Sequence, residues 1–138
     1  TPKHFAANNK ETNRKHSDSR VSERALREIY LKGFEIMVKE SAPWAIMSSY
    51  NMINGHRASE CRELLEDILR DEWGFDGMVT TDWWTRGEQY KEIKAGNDLK
   101  MANGYPERVK KAMEMGVLTR EELLISAKRV LGLILKID

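Results

Sequence analysis

The sequence predicts an α/β fold in which helices cover a parallel sheet. Short, almost continuously apolar runs at 44–49 and 78–81 alternate with longer segments of helical period. Such runs are typical of parallel strands that are buried on both faces. A third, shorter strand is expected within 95–101. Three strands cannot close a barrel, because a barrel of eight βα units typically needs ~250 residues.

The predicted helices carry boundary signals. Ser22 is expected to cap a helix that reaches about residue 40, and Pro43 stops it. A second helix covers about 59–73 and ends before Gly74. The predicted apolar stripes comprise Leu26, Ile29, Tyr30, Gly33 and Met37 on the first helix, and Cys61, Leu64, Leu65, Ile68 and Leu69 on the second.

The second half of the chain predicts three further helices. A short one covers about 86–94, and another begins at Pro106 and ends near Gly116. The last begins at Thr119, which forms a capping box with Glu122, and its stripe comprises Ala127, Val130, Leu131 and Ile134. Residues 1–20 are polar and irregular, so a long loop is expected there.

Composition excludes several classes of protein. The net charge of +1 provides no field that would recruit nucleic acid or an anionic membrane, and no apolar run approaches the ~20 residues of a membrane span. Cys61 is the single cysteine, so an internal disulfide and a multi-thiolate metal site are both impossible; a buried structural thiol is expected. No signal peptide is visible, which favours the cytoplasm, but the chain lacks an initiator Met and its true N-terminus is expected to be missing.

Asp82 is the strongest candidate for a catalytic residue. It ends an apolar run and is followed at once by Trp83 and Trp84. A carboxylate at the tip of a buried strand can attack an anomeric carbon or stabilise charge there, and an indole offers a flat face for a sugar ring. The alternative is that Asp82 only caps the next turn.

Other polar residues are expected to join Asp82, because functional residues of parallel α/β folds gather at the carboxyl ends of the strands. Lys3, His4 and Tyr50 fall at such ends, and Met47 is spaced to form a pocket wall. Each has a structural alternative, which is a disordered terminus for Lys3 and His4 and a place in the core for Tyr50. Asp98 is expected to cap a turn, and Trp44 and Trp73 to lie in the core. Phosphate-loop, paired-histidine and serine-elbow motifs are absent from the sequence.

Several motifs in one order resemble those of glycoside hydrolase family 3, the family of β-glucosidases and related exo-acting β-glycosidases. The matching stretches are Lys3–Asn9 with Glu11 and Arg14, Val21–Leu31, Met47–Asn51, Asn54–Gly55, Leu69–Gly77 running into Thr81–Trp83, and Ala95–Met101. One departure is small: the family most often has Ser where Thr81 stands.

The resemblance implies a fold and roles for particular residues. The chain resembles the C-terminal half of the family's (β/α)8 TIM-type barrel, with 1–138 as one partial domain of about three to four βα units. The nucleophile maps onto Asp82, and the pair that holds substrate maps onto Lys3 and His4. The pocket residues map onto Met47, Tyr50 and Trp83, and a supporting arginine onto Arg14.

The resemblance also implies what the chain lacks. In the family, the first barrel half supplies an Asp and an Arg, and the acid/base, usually a Glu, comes from a separate α/β domain. The expected parent is therefore a retaining exo-β-glycosidase acting on a β-glucoside or oligosaccharide, with no metal or organic cofactor, and the isolated chain is expected to be inactive. Self-association through open strand edges is expected. The alternatives are a noncatalytic remnant that binds sugar weakly or only assembles with other chains, and another α/β enzyme with Asp82 as general base.

Overall fold

Parallel strands in chain order form the centre of the fold, which a computed structural model describes for all residues 1–138. The strands are β1 (Asp18–Ser19), β2 (Ala45–Met47), β3 (Met52–Ile53), β4 (His56–Arg57) and β5 (Met78–Thr80). β2 pairs with β5 in parallel, with Ala45 opposite Met78. Single parallel bridges join Phe5 to Ser48 and Thr80 to Leu99, so four chain segments lie side by side. The parallel pairing predicted from the sequence is confirmed.

Two predictions about the rims of this sheet are confirmed only in part. The expected strand within 95–101 is reduced to the one-residue bridge at Leu99. The expected long loop at 1–20 contains ordered pairing, because Phe5 joins the sheet and β1 pairs in parallel with β3. β3 and β4 form an antiparallel hairpin beside β1.

The α-helices are α1 (Glu23–Ala25), α2 (Lys32–Ser41), α3 (Gln89–Ala95), α4 (Pro106–Glu114) and α5 (Arg120–Ile137). A π-helical segment, Leu26–Tyr30, lies between α1 and α2, and Leu31 N–H donates to the Leu26 carbonyl at 2.8 Å. Ser22 caps α1 as predicted. The wide turn inserts one residue into the helical repeat. The buried face is therefore Leu26, Leu31 and Val38. The predicted stripe is wrong at Ile29 and Met37, which are 68% and 37% exposed, and at the exposed Gly33.

The second helix has a short 3-10 turn, Ala58–Glu60, followed by a π-helical segment, Glu63–Glu72. Its predicted stripe is confirmed at Leu64, Leu65, Ile68 and Leu69, which are at most 2% exposed. Cys61 is only half-buried, although burial still raises the pKa of its thiol. Gly74 ends the helix with φ of 74°, where a side chain would be strained.

α5 has the predicted capping box but not the predicted buried stripe. Thr119 Oγ accepts from Glu122 N–H at 3.2 Å, and Glu122 Oε2 accepts from Thr119 N–H at 2.8 Å. Ala127 is exposed, Leu131 is 57% exposed and Ile134 is 47% exposed. The face that the sequence assigns to the core therefore has no covering element here. None of the helices is long and apolar enough to span a membrane.

Candidate functional site

Asp82 lies two residues beyond the last residue of β5, at the carboxyl end of the central parallel pair. Its residue is 5% exposed. Oδ1 accepts a hydrogen bond from Trp83 N–H at 2.7 Å, so part of the turn-capping alternative also holds. The other oxygen, Oδ2, is buried and accepts no hydrogen bond. A buried carboxylate oxygen without a donor is expensive, and such an atom is available to an incoming ligand.

His4 is the residue that approaches this free oxygen. Its Nε2 lies 3.8 Å from Asp82 Oδ2, and its side chain is 34% exposed. The position is set by the backbone, since Phe5 N–H donates to the Met47 carbonyl at 2.8 Å and Ser49 N–H donates to the Phe5 carbonyl at 2.9 Å. Lys3 is exposed and forms no ion pair, so the structure places it beside His4 without fixing its ammonium group.

Tyr50 also lies close enough to Asp82 to be affected by its charge. Its hydroxyl donates to the Trp83 carbonyl. Burial raises the pKa of the phenol, and the Asp82 charge raises it further, so Tyr50 is a neutral hydrogen-bond donor. The Arg14 guanidinium stacks 4.9 Å from the ring centroid and is held by Glu11 at 2.8 Å. This contact agrees with a supporting place for Arg14 behind the ring.

Two indoles follow Asp82 and both reach solvent. Trp83 is 46% exposed and Trp84 is 56% exposed, with ring centroids 5.5 Å apart. Either face could meet a sugar ring, so the structure does not force one of them into the core. Met47 is half-buried at the end of β2. It pairs with Thr80, which lies two residues before Asp82 in the sequence.

Asp98 is not a turn cap, because it accepts from a neighbouring strand and two arginines. Oδ2 binds Val79 N–H at 2.8 Å and Arg70 Nη2 at 2.9 Å, while Oδ1 lies 3.3 Å from Arg129 Nη1. Burial raises the pKa of the Asp98 carboxyl, and these donors oppose the rise. The carboxylate is fully committed to protein partners and is no candidate nucleophile. Trp73 is buried as predicted, but the core prediction for Trp44 is wrong because its indole is 52% exposed.

The sequence did not reveal three polar residues near the site. Lys15 Nζ lies 5.2 Å from the Tyr50 ring centroid and 5.8 Å from that of Trp84. Glu92 and Lys100 form a buried ion pair behind the tryptophans. An isolated lysine in a polar loop has no spacing signal, but Glu92 could have been found, since it lies on the face of α3 that also carries Ala95. The residues form no cluster of three or more His, Cys, Asp or Glu side chains that could hold a metal ion.

The site of this α/β domain combines a buried carboxylate that has a free oxygen with an imidazole and a phenol beside it, and exposed indoles lie at its rim. Residues 1–133 match the sequence profile described as the glycosyl hydrolase family 3 N-terminal domain. The chain therefore belongs to glycosyl hydrolase family 3.

Two relatives with high sequence identity carry the names of glycosidases. The chain is 61% identical over 123 residues to beta-glucosidase A of Butyrivibrio fibrisolvens, which covers 89% of this chain and 15% of the relative. It is 45% identical over 135 residues to an exo-alpha-(1->6)-L-arabinopyranosidase of Bifidobacterium longum, covering 97% of this chain and 18% of the relative.

A solved structure agrees with the fold. Beta-glucosidase 3B of Thermotoga neapolitana, in complex with alpha-D-glucose, superposes with a TM-score of 0.92 at 44% identity, covering 96% of this chain and 20% of the larger one. The chain thus spans between 15% and 20% of the length of these proteins.

Proposed function

We propose that this chain is part of a retaining exo-β-glycosidase of the β-glucosidase type, with Asp82 as its nucleophile. One observation carries the proposal: Oδ2 of a buried carboxylate has no hydrogen-bond donor and lies 3.8 Å from His4 Nε2. An oxygen left free at the end of a strand is placed to attack, whereas both carboxylate oxygens of Asp98, the other buried aspartate nearby, accept hydrogen bonds from the protein.

The reaction follows from that oxygen. Asp82 Oδ2 forms a bond to the anomeric carbon as the glycosidic C–O bond breaks, and the leaving oxygen takes a proton from an acid outside this chain. Water then attacks the same carbon, gives its proton to that acid's conjugate base, and releases the aspartate. A retaining enzyme needs its two carboxyl groups ~5–5.5 Å apart, so the second carboxyl must reach over the pocket from another segment.

The remaining pocket residues bind rather than react. His4 and Lys3 present donors to hydroxyls of the nonreducing sugar. The neutral Tyr50 phenol keeps the Trp83 backbone beside Asp82. Trp83 stacks against the leaving group, because its ring is exposed directly after the nucleophile. Met47 forms part of the wall.

The fold proposal is that residues 1–138 are the C-terminal half of a (β/α)8 barrel. The four side-by-side segments in chain order and the uncovered face of α5 support it. The missing barrel half and an acid/base domain are the proposed partners. A noncatalytic remnant is less well supported, because the buried free oxygen of Asp82 has no structural purpose.

The glycone has two candidates. The relative from Butyrivibrio supports a β-glucoside, and the arabinopyranosidase from Bifidobacterium supports an α-L-arabinopyranoside. Both are pyranosides that could lie between His4 and the indoles. Comparing kcat/KM for the two aryl glycosides on the complete enzyme decides between them.

The nucleophile is tested in the complete enzyme with Asp82→Ala. We expect kcat to fall by about 10⁴-fold or more, and azide to restore activity by forming a glycosyl azide of inverted configuration. Asp76→Ala is the control, since Asp76 is exposed on the strand's opposite end. A fluorosugar ester mapped to a residue other than Asp82, or wild-type kcat in Asp82→Ala, would overturn the assignment.

A further inference from the structure

A buried ion pair lies behind the tryptophan loop and takes no part in the proposed chemistry. Glu92 is 1% exposed and the Lys100 side chain 6% exposed. Lys100 Nζ lies 2.5 Å from Glu92 Oε2. Burying two charges costs several kcal/mol per ion unless hydrogen bonds satisfy the rest of each group. The groups that form these further hydrogen bonds therefore indicate the structural role of the ion pair.

Those partners lie mainly in the loop 83–88, which follows Asp82. Thr85 Oγ1 donates to Glu92 Oε1 at 2.7 Å and lies 3.0 Å from Lys100 Nζ. Lys100 also donates to the Gly87 carbonyl at 3.4 Å. Ser59 Oγ completes the set by donating to Glu92 Oε1 at 3.0 Å. Both charges are thus joined to the loop as well as to each other.

The loop backbone fits closely against this pair. A Cβ on Gly87 would come within 2.3 Å of Glu92 Oε1, so any side chain there would displace the Glu92 carboxylate. Trp84 adopts φ of 52°, a left-handed conformation that is unfavourable for a bulky residue. Such a conformation persists only where the surroundings hold it. The hydrogen bonds that the ion pair makes to Thr85 and Gly87 fix the chain directly after Trp84.

We propose that Glu92 and Lys100 are positioning residues that clamp the loop 83–88 and so hold the Trp83 indole beside the leaving group. The place of Trp83 beside the leaving group rests on the proposed function. The attachment of the loop to the ion pair does not depend on that function. The leaving group is present during formation of the glycosyl-enzyme and absent during its hydrolysis. Loosening the loop should therefore slow the first step and leave the second unchanged.

Thr85→Val is the main test, because it removes the loop's two shorter hydrogen bonds to the ion pair without leaving either charge unpaired, and only the longer contact of Lys100 with the Gly87 carbonyl remains. Thr12→Val is the matched control, since Thr12 is exposed and its hydroxyl makes no hydrogen bond. The double variant Glu92→Gln/Lys100→Met is the second test and removes both charges together. A variant that removed only one of them would leave the other charge buried without a partner and could misfold for that reason.

The first readout is trypsin cleavage after the exposed Arg86, relative to cleavage after Arg20, in the full chain. Cleavage follows the population of the open loop, so loss of a charge-assisted hydrogen bond should raise the ratio by about tenfold. This readout needs no glycosidase activity. Equal ratios for Thr85→Val and Thr12→Val would overturn the clamp.

The second readout is kinetic and uses the complete enzyme. For Thr85→Val, kcat/KM for an aryl glycoside should fall by about tenfold, while the hydrolysis rate of the fluorosugar-trapped glycosyl-enzyme stays at the wild-type value. A variant that only destabilises the fold would change both rates in proportion. If the loop opens but kcat/KM is unchanged, the clamp stands and its role beside the leaving group is overturned. Failure of the proposed function is a different outcome and can be recognised independently. In that case the wild-type enzyme would form no ester between the fluorosugar and Asp82.

Discussion

Asp98→Asn tests whether the buried arginine network holds α5 and β5 together. The change preserves shape, and the amide oxygen can still accept the Val79 N–H. It removes the negative charge that Arg70 binds at 2.9 Å and Arg129 approaches at 3.3 Å. The Arg70 side chain is 6% exposed, and its one remaining counter-ion is Glu66 at 3.5 Å.

The cost follows from this imbalance. Breaking a buried ion pair by removing one partner costs about 3–5 kcal/mol. Arg129 contributes less of that cost, because it keeps Glu66 at 2.9 Å. For a chain of this size the loss should lower the melting temperature by about 10–15 °C.

The assay is urea unfolding followed by far-UV circular dichroism. Asp67→Asn is the matched control, since Asp67 faces Arg62 at 3.5 Å with half of its side chain exposed; an exposed pair contributes about 0–1 kcal/mol. A difference of less than about 1 kcal/mol between Asp98→Asn and the control would refute the assignment of Asp98 to a structural network.

Three further outcomes are expected. The isolated chain should self-associate in light scattering at micromolar concentration, and Leu131→Glu should reduce this; a monodisperse monomer of 16.0 kDa would contradict it. Thr119→Ala should lower the free energy of unfolding by about 1 kcal/mol, measured in urea, and no change would show that the capping box is redundant. Hydrogen bonds, first from Lys94 and then from Thr119 N–H, lower the pKa of Glu122 below its ordinary 4.5. These bonds therefore stabilise the fold above pH 4.5, and their contribution is lost as the pH falls through the lowered pKa. Wild-type chain should therefore lose more stability than Glu122→Gln between neutral pH and about pH 3, and parallel losses would contradict this.

The fold was predictable where local signals decide it. Ser22, Gly74 and the capping box at Thr119 end or begin helices where the sequence places them. The predictions of which residues are buried failed where the sequence does not show an irregular helical turn or which element covers a helix face. A π turn after Leu26 rotates Ile29 to solvent, and no residue type marks such a turn in a single sequence.

The candidate site shows the same division. Asp82, His4 and Tyr50 were placed together because parallel strands end at one edge, and the structure brings them together. The place of Asp98 was missed, because its partner Arg129 lies far away in the sequence and only packing joins them. Glu92 and Lys100 were missed because charged residues on a helix and in a loop are usually solvated.

The parallel segments have a consequence for how the chain is made. Phe5 joins Ser48, β2 joins β5, and Thr80 joins Leu99, so each segment pairs with the one that precedes it along the chain. During synthesis, every new strand emerges onto a template that has already left the ribosome, and the entropic cost of each closure grows only slowly with the length of the intervening helical connection. Assembly can then proceed as stepwise growth along the chain, with each strand pairing as it is made.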